Sequence, residues 1–198
     1  MIEPDEQTLI DLVRRGDRTA MRLMYSKYIG HLTAVCSRYV SDDEDVKDVL
    51  QDSFIKIFDS LSDFVYRGDG SLKAWVTRIV INESLRLIRS RSLVAFVMLE
   101  NDVPAVDETE QLPDIETVPP EVIHSLIRNL PDGYRTVFNL YVVEGRSHRE
   151  ISKMLGISEN TSASQLHRAK NALAEAINQY KTNSKYGRHG QMVAIDPR

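Results

Sequence analysis

A single cysteine, Cys36, leaves no partner for an intramolecular disulfide, and its place in an apolar helical pattern reads as a buried thiol. Long hydrophobic runs are missing too: the longest, Leu93 to Leu99, falls far short of a bilayer span. Met1 to Asp11 is acidic and has neither the basic flank nor the apolar stretch of an export signal, so a cytoplasmic chain without stable membrane insertion is expected. No alternating strand pattern, phosphate loop or nucleophile motif appears. The five histidines, His31, His124, His148, His167 and His189, lack metal-ligand pairing. These absences argue against an enzyme, a metal or cofactor site, and an upstream receiver domain built from alternating strands and helices.

What is present is charge, unevenly placed. The formal net charge of −4 seems wrong for a partner of nucleic acid, which needs cationic surface. Yet residues 67–92 carry 6 Lys/Arg against 2 Asp/Glu, whereas residues 93–118 carry none against 7 and residues 1–66 carry 8 against 13. Residues 119–181 return to 8 against 6. Local positive surfaces separated by acidic ones suit a chain that meets DNA at two places.

Apolar residues recur at helical spacing through most of the chain, as in Leu9, Leu12, Val13 and then Leu23, Met24, Tyr28, Leu32, Val35, Cys36, Tyr39. Breaks fall at Gly16-Asp17, at Ser41-Asp42-Asp43 and at Arg67 to Ser71. The expected fold is all-α: a helical domain over 1–97, an acidic flexible linker over 98–120 with Pro104, Pro113, Pro119 and Pro120, a second helical domain over 121–181, and a flexible tail over 182–198.

In the second domain Ser147 can cap a short helix through Leu155 whose Ile151, Met154 and Leu155 share a face. Gly156 can end it in the left-handed conformation, and Ser158 can cap the next helix. That helix carries Leu166, Ala169, Leu173 and Ile177 inward, and its outer face is expected to present Asn160, Ser164, Gln165, His167, Arg168 and Asn171. A short helix, a glycine turn and a longer helix with an acid-poor polar face make a helix-turn-helix, in which the second helix enters the major groove. An ordinary helical hairpin is the alternative.

Leu130-Pro131-Asp132-Gly133-Tyr134-Arg135-Thr136-Val137-Phe138, with Glu144 to Ile151 and Ser158-Glu159-Asn160-Thr161, resembles the fourth conserved region of small bacterial sigma factors. Upstream, Asp48-Val49-Leu50-Gln51-Asp52-Ser53-Phe54 and Tyr66-Arg67-Gly68-Asp69-Gly70-Ser71-Leu72-Lys73-Ala74-Trp75-Val76-Thr77-Arg78-Ile79-Val80-Ile81-Asn82 resemble the second region. Two such regions joined by a linker are the pattern of the extracytoplasmic-function (ECF) group of the sigma-70 family.

The resemblance implies that Asp48, Gln51 and Asp52 face core RNA polymerase, at its clamp helices, with further contacts at the flap. It implies −10 DNA binding at Arg67, Gly68, Asp69, Lys73, Arg78, Asn82, Arg86 and Arg89. For the −35 element it implies Arg149, Asn160, Thr161, Ser164, Gln165, His167, Arg168 and Lys170, of which Ser164, His167 and Arg168 are assigned to bases, Arg149 and Lys170 to phosphates. An anti-sigma partner also follows from it. Ala163 and Gln165 depart from the basic residues common there. From spacing alone, Arg78, Asn82, Arg86 and Arg89 form a polar stripe opposite Leu72, Trp75, Val76 and Ile79. Trp75 reads as a core anchor or as a stacking platform. A repressor-type DNA-binding protein is the rival to a sigma factor.

Overall fold

The computed structural model describes residues 4–98 and 117–185, with side chains to 91 in the first span and to 184 in the second. All regular structure among the described residues is helical. Contacts divide the chain into two compact units, Met1–Leu87 and Ile88–Arg198.

The first unit contains α1 (Glu6–Arg14), α2 (Arg18–Cys36), α3 (Asp43–Ser60), a 3-10 turn at Leu61–Asp63, and the start of α4 (Ser71–Met98). An aspartate opens each of the first three helices, Asp5, Asp17 and Asp42, its carboxylate accepting from backbone N–H groups that have no intrahelical partner. The helices bury Leu9, Ile10, Met24, Leu32, Tyr39, Ile57, Leu72 and Leu85, each apolar side chain contributing about 1.5–3 kcal/mol. Cys36 is fully buried as expected; burial pushes its thiol up, against a 3.5 Å contact with the Ser84 hydroxyl.

The second unit contains α5 (Pro120–Arg128), α6 (Asp132–Phe138) running into a π-helical turn (Asn139–Val143), α7 (His148–Leu155) and α8 (Glu159–Lys185). Leu130, Ala169 and Leu173 centre its core, with Leu126, Ile127, Tyr134 and Phe138 packed around them. Arg135 is buried among them and donates to the carbonyls of Arg128 and Leu130, both at 2.8 Å, and to the Asp132 carboxylate. A guanidinium can be buried here because it closes the orphan carbonyls at the end of α5.

Boundaries differ from expectation in three places. The unit division falls after Leu87, within α4, rather than at 97, although the helix itself continues to Met98. Val118, assigned to the linker, is buried in the second unit. Helix α8 passes 181 and runs to Lys185, Thr182 donating to the Asn178 carbonyl. Most of the acidic linker, the side chains of Leu93 to Leu99, and the tail beyond Lys185 lie outside the described residues.

Candidate nucleic-acid interface

The helix-turn-helix is assembled from short-range contacts. Ser147 and Glu150 form a reciprocal capping box, the Ser147 N–H donating to Glu150 at 2.9 Å, and this holds the Glu150 carboxyl below its usual range. Gly156 ends α7 at φ 71°, where a Cβ would be strained. The Ser158 hydroxyl accepts from the Thr161 N–H at 2.9 Å and opens α8. His148, singled out by no sequence pattern, joins the parts: its Nδ1 lies 2.9 Å from the Ser162 hydroxyl and its ring stacks on Tyr141 with centroids 4.7 Å apart.

On α8, Asn160 and Lys170 are exposed, as is Arg149 on α7, while Ser164, His167 and Arg168 are half-buried. His167 and Asn171 hydrogen-bond at 3.1 Å. Gln165 is a correction: it is 2% exposed, and neither its amide oxygen nor its nitrogen finds a protein partner. The inward stripe is Ser162, Gln165, Leu166, Ala169 and Leu173, so helical period, not polarity, decides where Gln165 points. Thr161 is likewise buried, its hydroxyl 2.7 Å from that of Ser158, which makes it part of the cap.

In the first unit Gly68 and Gly70 have φ 101° and 83°, and the loop they form leads into α4. Glu6 anchors it: its carboxylate accepts from the Gly70 and Leu72 N–H groups at 3.1 and 3.4 Å and from the Tyr28 hydroxyl at 3.0 Å. Nothing near Glu6 in sequence announces this, since its loop partners lie more than sixty residues away. Asp69 accepts from the Tyr66 hydroxyl at 2.8 Å, which pushes that phenol up to about 12. Arg67, Lys73, Arg78, Asn82 and Arg86 are exposed, as is Arg89 further along α4 in the second unit, and Gly68 is half-buried. Opposite the stripe, Leu72 and Val76 are buried, whereas Trp75 is half-buried against Phe64 with ring centroids 4.9 Å apart.

Asp48, Gln51 and Asp52 share an exposed face of α3 with Ile55, which is 53% exposed and follows from no pattern in the sequence. Asp52 and Arg86, assigned to different partners, bond to each other at 2.9 Å. Arg86 also donates to Glu83 at 2.8 Å, and Lys56 pairs with the same carboxylate. Burial alone would raise the Glu83 carboxyl, but the two cations outweigh it and hold it below the usual range. Arg86 thus bridges α3 and α4 while its side chain stays exposed.

Among the described residues no group of three or more His, Cys, Asp or Glu could hold a metal, and no helix is long and apolar enough to cross a membrane. A helix-turn-helix in one unit, and in the other a glycine loop leading into a helix with a basic outer stripe, define an all-helical protein of the DNA-binding class.

The comparisons give the family. Residues 24–94 match the model for Sigma-70 region 2, and residues 121–173 match that for Sigma-70, region 4. The RNA polymerase sigma-H factor of Pseudomonas aeruginosa is 29% identical over 189 residues, covering 89% of this chain and 96% of that protein. The ECF RNA polymerase sigma-E factor of Haemophilus influenzae is 29% identical over 182 residues, 87% of this chain and 95% of its own. A solved structure of the sigma factor RpoE in complex with the anti-sigma factor NepR from Bartonella quintana is 20% identical, covers 79% of this chain and 96% of its own, and has a TM-score of 0.46. The chain belongs to the ECF group of the sigma-70 family, whose members are not enzymes.

Proposed function

We propose that this protein is an alternative sigma factor that docks on core RNA polymerase through the α3 face at Asp48, Gln51 and Asp52 and clamps a promoter at two points. Helix α8 reads the −35 element with Ser164, His167 and Arg168, while Asn160, Arg149 and Lys170 hold the flanking backbone. The Arg67 to Asp69 loop and the Lys73, Arg78, Asn82 and Arg89 side of α4 capture separated −10 bases. The work comes from binding energy: extruding a base costs a few kcal/mol, and stacking with pocket hydrogen bonds at the loop repays it, so opening needs no ATP. An anti-sigma factor, as the family resemblance implies, would control the protein in the cytoplasm.

The observation that carries this reading is the occurrence of both sigma regions in one chain. A repressor-type protein would need only the helix-turn-helix. The test is reconstituted transcription with core polymerase on a promoter library. Promoter-specific initiation that depends on the protein is expected; DNA binding without such initiation would sink the proposal.

A further inference from the structure

Helix α1 precedes residues 24–94, the stretch that matches Sigma-70 region 2, and the proposed function leaves it without a task. Leu9, Ile10 and Val13 bury one side of it. A charged residue stands at each end of that buried side, Glu6 at the start and Arg14 at the finish, about 12 Å apart along the axis. Both reach the same stretch of chain, the one that leads from the end of α3 into α4.

Arg14 holds its entry. The guanidinium donates from Nε to the Leu61 carbonyl at 3.2 Å and from a terminal nitrogen to the Phe64 carbonyl. Glu6 holds its exit, accepting from the Gly70 and Leu72 N–H groups. Leu72 lies in the first turn of α4, where an N–H has no acceptor within the helix, so a carboxylate sixty-six positions away closes that helix end. The Tyr28 hydroxyl donates to the other Glu6 oxygen and keeps the carboxylate aimed; burial and then Glu6 push that phenol well above its ordinary range, so it remains a neutral donor. Between the two anchors the arch has contacts of its own, Tyr66 with Asp69 and the Arg67 N–H donating to the Ser71 hydroxyl at 3.2 Å. Its middle is open: Val65, Arg67 and Asp69 are exposed.

We propose that α1 is a positioning element for the −10 loop: Glu6 and Arg14 fix the two ends of the Leu61 to Leu72 segment before DNA arrives, and so set the loop's preference among bases without touching them. This rests on reading the loop as the place of −10 base capture. A loop ordered in advance loses less conformational entropy when it closes on a base. Covering the core accounts for Leu9, Ile10 and Val13. It does not account for an acid placed on the N–H groups, and a guanidinium placed on the carbonyls, of one loop.

The test has two arms, on the full-length variants Glu6→Ala, Glu6→Gln and Arg14→Met. Glutamine keeps an oxygen for the loop and can turn its NH2 toward the Tyr28 oxygen, so it should rescue what alanine loses. In the free protein, amide exchange at Gly70 and Leu72 should quicken about tenfold in Glu6→Ala and stay within about twofold of wild type in Glu6→Gln. With core polymerase, the probe is a promoter fragment from the library selection, unpaired across the −10 region, with each of the four bases placed in turn at each unpaired non-template position. Wild type and Glu6→Gln should favour one base at one position about tenfold; Glu6→Ala and Arg14→Met should reduce that preference to about twofold, with core affinity unchanged. Equal exchange or equal base preference in Glu6→Ala and Glu6→Gln would overturn the proposal, as would a loss of core affinity that tracks the loss of preference. The sigma-factor reading fails separately, when wild-type protein adds no promoter-specific initiation, while amide exchange still reports on the loop.

Discussion

The two units hold the residues proposed to meet DNA in different ways. In the helix-turn-helix the decisive contacts are local: Ser147 with Glu150, Ser158 with Thr161, and His148 with Ser162, fourteen positions on. In the first unit they are distant, Glu6 with Gly70 and Asp52 with Arg86, sixty-four and thirty-four positions apart. A local device tolerates removal of one bond, because neighbouring turns still set the helix directions. A distant bond fixes where a loop or stripe sits relative to another helix, and nothing nearby in sequence can replace it.

Substitutions can break or sharpen this contrast. The largest effect is expected where a local element is nonetheless buried: Arg135→Ala removes the guanidinium that bonds the Arg128 and Leu130 carbonyls and the Asp132 carboxylate. That should cost about 3 kcal/mol, read as weaker hydrogen-exchange protection in α6 and α8 while Trp75 fluorescence in the first unit is unchanged. Glu6→Ala removes one acceptor from three donors and should destabilise the first unit by about 1–2 kcal/mol. Trp75, the only tryptophan, reports that change directly. Ser147→Ala removes one cap and should cost about 1 kcal/mol, confined to α7 and measurable in its amide exchange.

The smallest effect is a pH dependence. Burial holds His148 below its ordinary value of 6.5, with Glu159 pulling it up and Lys170 pushing it down. A depressed histidine stabilises the fold in its neutral form. That contribution is complete above the unfolded value and is lost as pH falls below about 6.5. His148→Phe keeps a ring against Tyr141 and should flatten this acid slope in α7 and α8. An unchanged slope would assign it to other groups.

The same contrast explains what was legible in the sequence. Ser147, Gly156 and Ser158 carry their roles in their identity, because capping and left-handed φ are demands on single residues. Gln165 is misplaced when polarity is weighed above period: three residues after Ser162 and four before Ala169, it has to face the core. Glu6, Glu83 and the Asp52–Arg86 bond were illegible for a different reason. Their partners are set by how α1, α3 and α4 pack, and no spacing along the chain encodes which carboxylate meets which cation. His148 and Ile55 fall between these cases, visible as an unexplained histidine and an apolar residue on a polar face, but without a partner until the helices are placed.

The central claim is that one chain grips a promoter at two separable points. The most direct measurement is selection of initiating promoters from a randomised library by core polymerase carrying wild-type protein or Arg168→Ala. Two sequence blocks should emerge with wild type, and only the upstream block should lose definition with Arg168→Ala, with core binding unchanged. A single block, or loss of the downstream block in that variant, would contradict the account.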